Sequence, residues 1–560
     1  MTDSIFHPGL VLIAGAFVLP YVRGHLRSAA VLLLPMLALL LVWQIPDGAI
    51  QMRFLEYTLT PVQGDKLSRL FATVFALMAA GGALYALGQK SRLEIPAAFV
   101  YAGSAIGVTL AGDLVTVFVF WELMAIGSTV VLWSNGSSGS YRASQRYLMI
   151  HLLGGTILLA GITGHITQTG SADFTRMMLN SPAQWLILIG FLVNAGAPPL
   201  SAWLPDAYPE ASWSGTVFLS AFTTKAAVYV LIRGFPGTEL LIWVGLFMVF
   251  YGIVYGLLEN DLRRILAYSI VNQVGFMVVG IGIGTEMALN GAAAHAFTHI
   301  IYKALLLMSA GSVLLMTGQR KCSNLGGLFH TMPLTTVCGI IGALSISAFP
   351  LTSGFISKAM VSQAAADAHL LAVWLLVLAG TAGVFLDIGM KFSWFVFFQK
   401  DSGLRPPEPP ASMRWAMIFF AFLCIAIGIW AEPLYALLPY AVAYVPYTWA
   451  HVVTQLQLLL FSGLAFFVLL PYLRRTLTIT LDTDWVWRKV LPAVATLIAR
   501  MIGAVQAMIG RGGQRASSSA LTLANSHYGV DSSFARTWSV RGMALWVLVL
   551  LLGYLLIYYT

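Results

Sequence analysis

The chain has 560 residues, 59% of them hydrophobic and 9% charged, against about 25% charged in ordinary soluble domains. Such a composition excludes a soluble globule, a disordered chain, a secreted disulfide scaffold and a nucleic-acid binder. The net charge of +9 is spread thinly between long apolar runs, the pattern of a polytopic membrane protein.

A membrane span needs roughly 20 apolar residues. Sixteen are expected, at about 9–22, 29–45, 69–88, 95–112, 113–133, 147–165, 183–204, 213–232, 239–258, 264–284, 287–316, 332–365, 370–398, 412–432, 452–472 and 542–559. The N-terminus lacks a signal-peptide layout, so its first apolar run is read as the first span. The loops after odd-numbered spans, through the thirteenth, hold 13 lysines and arginines. Those after even-numbered spans hold five: Arg53, Lys66, Arg69, Arg176 and Arg233. The odd loops are therefore expected on the cytoplasmic side of a bacterial inner membrane, with both termini outside. Nine further cations lie between Arg474 and Arg541. The three cysteines, Cys322, Cys338 and Cys424, form no CxxC pair, so no metal and no cofactor is expected.

Glu122 falls near the middle of the fifth span. A carboxyl group there costs several kcal/mol unless it is paired or protonated, which marks it as functional. In the seventh span, NAGAPPLSAWLPD places Pro198 and Pro199 mid-helix. In the twelfth, SAFPLTSGFISK places Pro350 and Gly354 in the same role. Interrupted helices are tolerated in lipid only where the freed backbone lines protein or water. A pair of them separated by room for five spans points to an inverted-repeat transporter, with its pathway at the breaks. Simple kinks are the alternative.

The four cations left over from the loop count, Lys225, Lys303, Lys358 and Lys391, fall inside spans, and all are lysine. Buried lysine changes its protonation readily whereas arginine stays charged, so the four suggest proton handling. In the eleventh span, His295, His299 and Lys303 recur every four residues. Each step rises about 6 Å and drifts about 40°, giving a slanting stripe of titratable groups. Haem ligation is the rival chemistry, with His151 and His165 of the sixth span as further ligands. A four-spaced pair on one helix cannot sandwich an iron, which disfavours it. Asp387 precedes Lys391 by four residues on one helical face. The two either form an ion pair or leave Lys391 to snorkel toward the headgroups.

After span fifteen, Arg488, Lys489, Arg500, Gln506 and Arg511 share about 140° of helical arc. A helix over 486–510 is expected to lie along the membrane interface, with a seventeenth crossing as the alternative. GRGGQRASSS reads as a loop before the last span.

FVFWELM, PLSAWLPDA, ENDLRRILAYSIVNQVGFM, HAFTHIIYKALLLMSAGSV and LSISAFPLTSGFISK occur in this order from about residue 101 to 358. Together they resemble the antiporter-like membrane subunits of proton-pumping NADH:quinone oxidoreductase (complex I), Mrp-type Na⁺/H⁺ antiporters and membrane-bound hydrogenases. The resemblance implies an all-α polytopic fold of fourteen core helices. It contains two inverted five-helix repeats, each with a half-channel, joined along a central hydrophilic axis. Glu122, Lys225, His295, His299, Lys303 and Lys358 match the family's proton-carrying positions. Asp387, Lys391 and Asn194 are accessory candidates. Asn194 departs from the pattern, because the family has a lysine there and an amide carries no proton. The longest members also carry a lateral helix and a sixteenth span.

The expected organisation is N-terminal helices over 1–94, a first repeat over 95–232 and a second over 239–400. Additional helices follow over 412–472, then a lateral or linker segment over 476–540 and a last span over 542–560. The expected function is proton and monovalent-cation translocation, with Na⁺ as the cation, in an Mrp-type antiporter closest to its D-type component. Its partners are other membrane subunits and lipid, and the chain itself is not an enzyme. Two alternatives are the pump module of a redox complex and the coupling subunit of an inorganic-carbon uptake complex.

Overall fold

The computed structural model describes residues 6–54, 57–473, 482–483, 485–530, 532 and 539–559. Two compact units result, Met1–Asp484 and Trp485–Thr560. Among the described residues, 13 helices are long and apolar enough to cross a membrane, and shorter apolar helices accompany them.

The first unit begins with α1 (Pro8–Val18) and α2 (Gly24–Gln44). The segment between the second and third expected spans is not a loop. It forms an antiparallel hairpin of β1 (Gly48–Phe54) and β2 (Tyr57–Gly64). The Asp113 carboxylate fixes this hairpin by accepting from Thr60 N at 2.7 Å while capping the next helix start through Thr116 N at 2.7 Å. Then come α3 (Lys66–Tyr85), α4 (Glu94–Leu110), α5 (Leu114–Trp133), α6 (Ser138–Thr169) and α7 (Pro182–Ala195).

From α7 onward the breaks define the architecture. The expected span 183–204 ends early: α7 stops at Ala195, and Gly196 takes a left-handed φ of 77° as its cap. Pro198 and Pro199 lie in the turn beyond, before the single turn α8 (Trp203–Ala207). The expected span 213–232 is itself divided, into α9 (Gly215–Leu219) and α10 (Thr223–Gly234).

The second half runs through α11 (Leu240–Leu258), α12 (Leu262–Ile283) and α13 (Glu286–Thr317). The expected span 332–365 is two helices, α14 (Pro333–Ile346) and α15 (Ser353–Asp367). Around Pro350, Ala348 and Leu351 are held at positive φ, 56° and 69°. α16 (Leu371–Val384) continues into wider π-helical turns over Phe385–Phe392. The unit's last helices are α17 (Ala411–Ile429), α18 (Glu432–Ala436) and α19 (Trp449–Leu469).

The polar residues sit in the middle. α12 and the α9–α10 segment are wholly enclosed by protein, whereas α2 and α19 present exposed leucine and phenylalanine faces. A lipid-facing rim and a polar interior suit a bilayer solvent. Glycine brings α11 and α12 to backbone contact: a Cβ at Gly245 would lie 2.6 Å from Gly275 O, and one at Gly275 would lie 2.6 Å from Gly245 O.

In the second unit, π-helical turns over Val486–Val490 lead into α20 (Leu491–Tyr528), followed by α21 (Val540–Tyr559). GRGGQRASSS is therefore helix and not loop. Each glycine costs a helix only about 1 kcal/mol, no proline intervenes, and the neighbouring arginine, glutamine and alanine are helix formers. The expected boundary at 476 lies outside the described residues.

Candidate functional site

α13 is one continuous helix, capped by Thr285 at its start and by Gly318 at its end. It carries His295, His299 and Lys303, all fully buried. His295 Nε2 lies 3.1 Å from Gln273 Oε1, and its Nδ1 lies 3.2 Å from Ser357 Oγ. Thr298 Oγ1 lies 2.8 Å from the same serine hydroxyl, and Tyr302 OH donates to Gln273 Oε1 at 3.1 Å. The His295 and His299 ring centroids are 6.2 Å apart. Among the described residues His299 has no hydrogen-bond partner at either ring nitrogen. Lys303 Nζ donates to Ser269 Oγ on α12.

The two ends of this stripe have different neighbours. The histidine end, through Ser357, adjoins Lys358. Lys303 is the far end, within electrostatic range of Asp387. A hop from Lys303 to Lys358 is thus not what the geometry offers, because His295 is the member that meets α15.

Lys225 and Lys358 each follow a helix interruption, and each binds a carbonyl that the interruption frees. Lys225 Nζ donates to Ser220 O at 2.7 Å and to Thr224 Oγ1 at 3.0 Å. Lys358 Nζ donates to Ile346 O at 2.9 Å and lies 4.6 Å from the centroid of the Phe276 ring. Both are buried, and among the described residues neither has a carboxylate within ion-pair distance. Gly354 lets the second break close up, since a Cβ there would collide with Ser345 O. Lys358 also lines a cavity of about 380 Å³ together with Gln363, Thr381, Tyr444, His451 and Gln455.

Asp387 and Lys391 do pair, at 3.6 Å with both side chains fully buried. Lys391 does not snorkel. It donates to Gly256 O, to Leu257 O at 2.9 Å and to Glu259 O at 3.1 Å, capping the C-terminus of α11.

Glu122 is half-buried on α5 and packs against the α6 backbone, where a Cβ at Gly155 would collide with its Oε1. Asn194 is buried at the end of α7 with neither amide atom partnered among the described residues. Pro198 and Pro199 line the turn that follows it. The structure therefore gathers Lys225, the α13 stripe and Lys358 around α12, with Glu122 and Asn194 in the first half. Sequence reading missed Gln273, Ser269, Ser357 and Tyr302. Asn272 and Gln273, adjacent in mid-span, were the available signal.

Outside the spans, an ion-pair cluster ties the loops together. Arg320 binds Asp261 and also Glu210, the latter at 3.0 Å. Burial opposes its charge, but the two carboxylates prevail and hold the guanidinium above its usual range. Arg263 donates to Ala211 O at 2.9 Å and Ser212 O at 2.7 Å.

Buried lysines without carboxylate partners at helix breaks, with histidines on a neighbouring helix of a many-helix bundle, are the pattern of an ion-translocating membrane protein. Residues 111–385 match the family model described as "NADH:quinone oxidoreductase/Mrp antiporter, TM". It is 31% identical over 396 residues to a probable K⁺/H⁺ antiporter component of the A/B type from Rhizobium meliloti, a stretch covering 64% of this chain but 39% of that relative. It is 27% identical over 474 residues to the D-type component of a Na⁺/H⁺ antiporter from Alkalihalophilus pseudofirmus, covering 78% of this chain and 95% of the relative. A chain in the structure of the Mrp complex from Dietzia sp. has the same fold, with a TM-score of 0.65 at 21% identity over 77% of this chain and 91% of that one. The protein is an integral multi-pass membrane protein.

Proposed function

We propose that the chain is the proton-translocating subunit of a multisubunit Mrp-type cation/proton antiporter in a bacterial inner membrane, with Na⁺ as the exchanged cation. The observation that carries the reading is the set of buried lysines without carboxylate partners at helix interruptions, bridged by the α13 histidines. The K⁺/H⁺ and Na⁺/H⁺ antiporter relatives support antiport as the activity, and the second of them supports a D-type place in the complex.

In this mechanism Lys225 takes a proton from the first half and passes it to His299. From there the stripe forks. One arm runs through His295 and Ser357 to Lys358 and its cavity. The other runs through Lys303 and Ser269 toward the Asp387–Lys391 pair. The Ser220 and Ile346 carbonyls hold each ammonium by accepting from it, and the buried hydroxyl and amide groups between them are suited to ordering water. The lysine-rich and arginine-rich loops face the cytoplasm, both termini face outward, and 486–510 lies along the interface. Antiport driven by an imposed pH gradient, measured in vesicles, tests the reading. Lys303→Ala abolishes exchange while the protein still assembles with its partner subunits, and undiminished exchange would overturn the assignment.

A further inference from the structure

With an amide at position 194, α7 offers Glu122 no cation. The structure places another titratable group beside the same glycine face of α6. His151, Gly154 and Gly155 all lie on the buried side of that helix. A Cβ at 155 would collide with Glu122 Oε1, and a Cβ at 154 would stand 3.8 Å from Asn194 Oδ1. His151 is one turn earlier. Three neighbouring helices therefore turn polar groups toward one small-residue surface. Among the described residues, Glu122 Oε1, both amide atoms of Asn194 and His151 Nε2 have no hydrogen-bond partner. Asn194 and His151 are each 1% exposed. Buried polar atoms left open in this way are the sites where proteins hold internal water.

The state of the His151 ring follows from its other nitrogen. Nδ1 lies 2.9 Å from Tyr147 O. A carbonyl only accepts, so Nδ1 carries the hydrogen and Nε2 keeps the lone pair of the neutral ring. The ring stacks on Tyr147 at 3.9 Å and meets Trp203 edge to face at 4.7 Å. Tyr147 OH in turn donates to Ser128 Oγ at 2.9 Å and lies 3.4 Å from Thr223 Oγ1, two residues before Lys225.

We propose that His151 is the proton acceptor for Glu122, filling the role that the family pattern gives to a lysine at position 194, with water held by Asn194 between them. The O–H bond of the Glu122 carboxyl breaks and an N–H bond forms at His151 Nε2 through that water. Carboxylate and imidazolium result. The imidazolium later releases the same proton from Nε2 to water on the side of Lys225. No other reactant is needed. This inference rests on the proton-route reading above.

The experiment measures pH-gradient-driven Na⁺/H⁺ exchange in vesicles holding the assembled complex, for His151→Gln, Lys303→Ala and a control on the same helix, His165→Gln. Expected is a loss of at least about 100-fold for His151→Gln, within the range of a general acid–base contribution, with His165→Gln unchanged. Full exchange in His151→Gln alongside loss in Lys303→Ala overturns the inference alone. Full exchange in both overturns the proton-route reading beneath it. Asn194→Leu, which keeps His151 and fills the space for water, provides a second arm should His151→Gln fail to assemble. Loss of exchange supports the bridge, and full exchange overturns it. In the assembled wild type, the infrared carboxyl band that Glu122→Gln removes is expected to shift in His151→Gln, and an unmoved band counts against the pair.

Discussion

The interruptions before Lys225 and before Lys358 solve one problem with different backbones. The first spans only 220–222 and has no residue at positive φ. The second spans 347–352 and holds two non-glycine residues, Ala348 and Leu351, in the left-handed region. Such residues cost of order 1–3 kcal/mol each and persist only where the surroundings enforce them. Lys225 sits in a closed interior, while Lys358 lines a cavity. On the proposed route, this contrast makes Lys225 an internal relay position and Lys358 the one that exchanges with its cavity.

The largest effects test whether both ends carry protons. Lys225→Gln and Lys358→Gln are each expected to lower exchange about 100-fold or more. The two should differ toward a water-soluble amine reagent, which modifies Lys358 through its cavity and spares Lys225. Mass spectrometry of labelled peptides reads this, and equal labelling would erase the distinction. Next in size is Lys391→Met. It strips the cap from α11 and leaves Asp387 without its ammonium, a loss of about 3–5 kcal/mol for a broken buried pair. The measurement is the thermal stability of the purified complex. Gly155→Ala and Gly354→Ala come third. Each adds a methyl where there is no space, against the Glu122 carboxyl in one half and the Ser345 carbonyl in the other. Gly155→Ala should impair exchange more than stability, and Gly354→Ala should impair both. The smallest change is Leu351→Gly. It relieves a left-handed conformation worth about 1–2 kcal/mol, so a slight rise in melting temperature with slower exchange would tie that strain to function.

Much of the site was legible because the bilayer makes polar residues conspicuous. Glu122, the α13 stripe and the lysines stand out against apolar runs, as does Pro350. What stayed hidden depends on three-dimensional contact. The break at 220–222 has no proline or glycine to announce it, since SAFTTK reads as ordinary helix. The capping role of Lys391 depends on α11, far earlier in the chain, and no spacing rule connects them. The hairpin at 48–64 lacks an Asn-Gly or Asp-Gly turn signal. GRGGQRASSS misled in the opposite sense, because composition suggested a loop where neighbouring helix formers carried the helix through. The order of the α13 stripe became readable only when Ser357 was seen beside His295.

The backbone contact between α11 and α12 has a mechanical consequence. Gly252 continues it, for a Cβ there would lie 2.6 Å from Tyr268 O and 2.7 Å from Asn272 Cβ. Two helices touching along their main chains have no side-chain layer to shear against, so they respond to load as one stiff spar. α12 is the spar member that carries Ser269 and Gln273, the anchors of Lys303 and His295. On the proposed route, charge moving along α13 works against a fixed reference, and what gives way is water, side chains or the strained turn at Pro350.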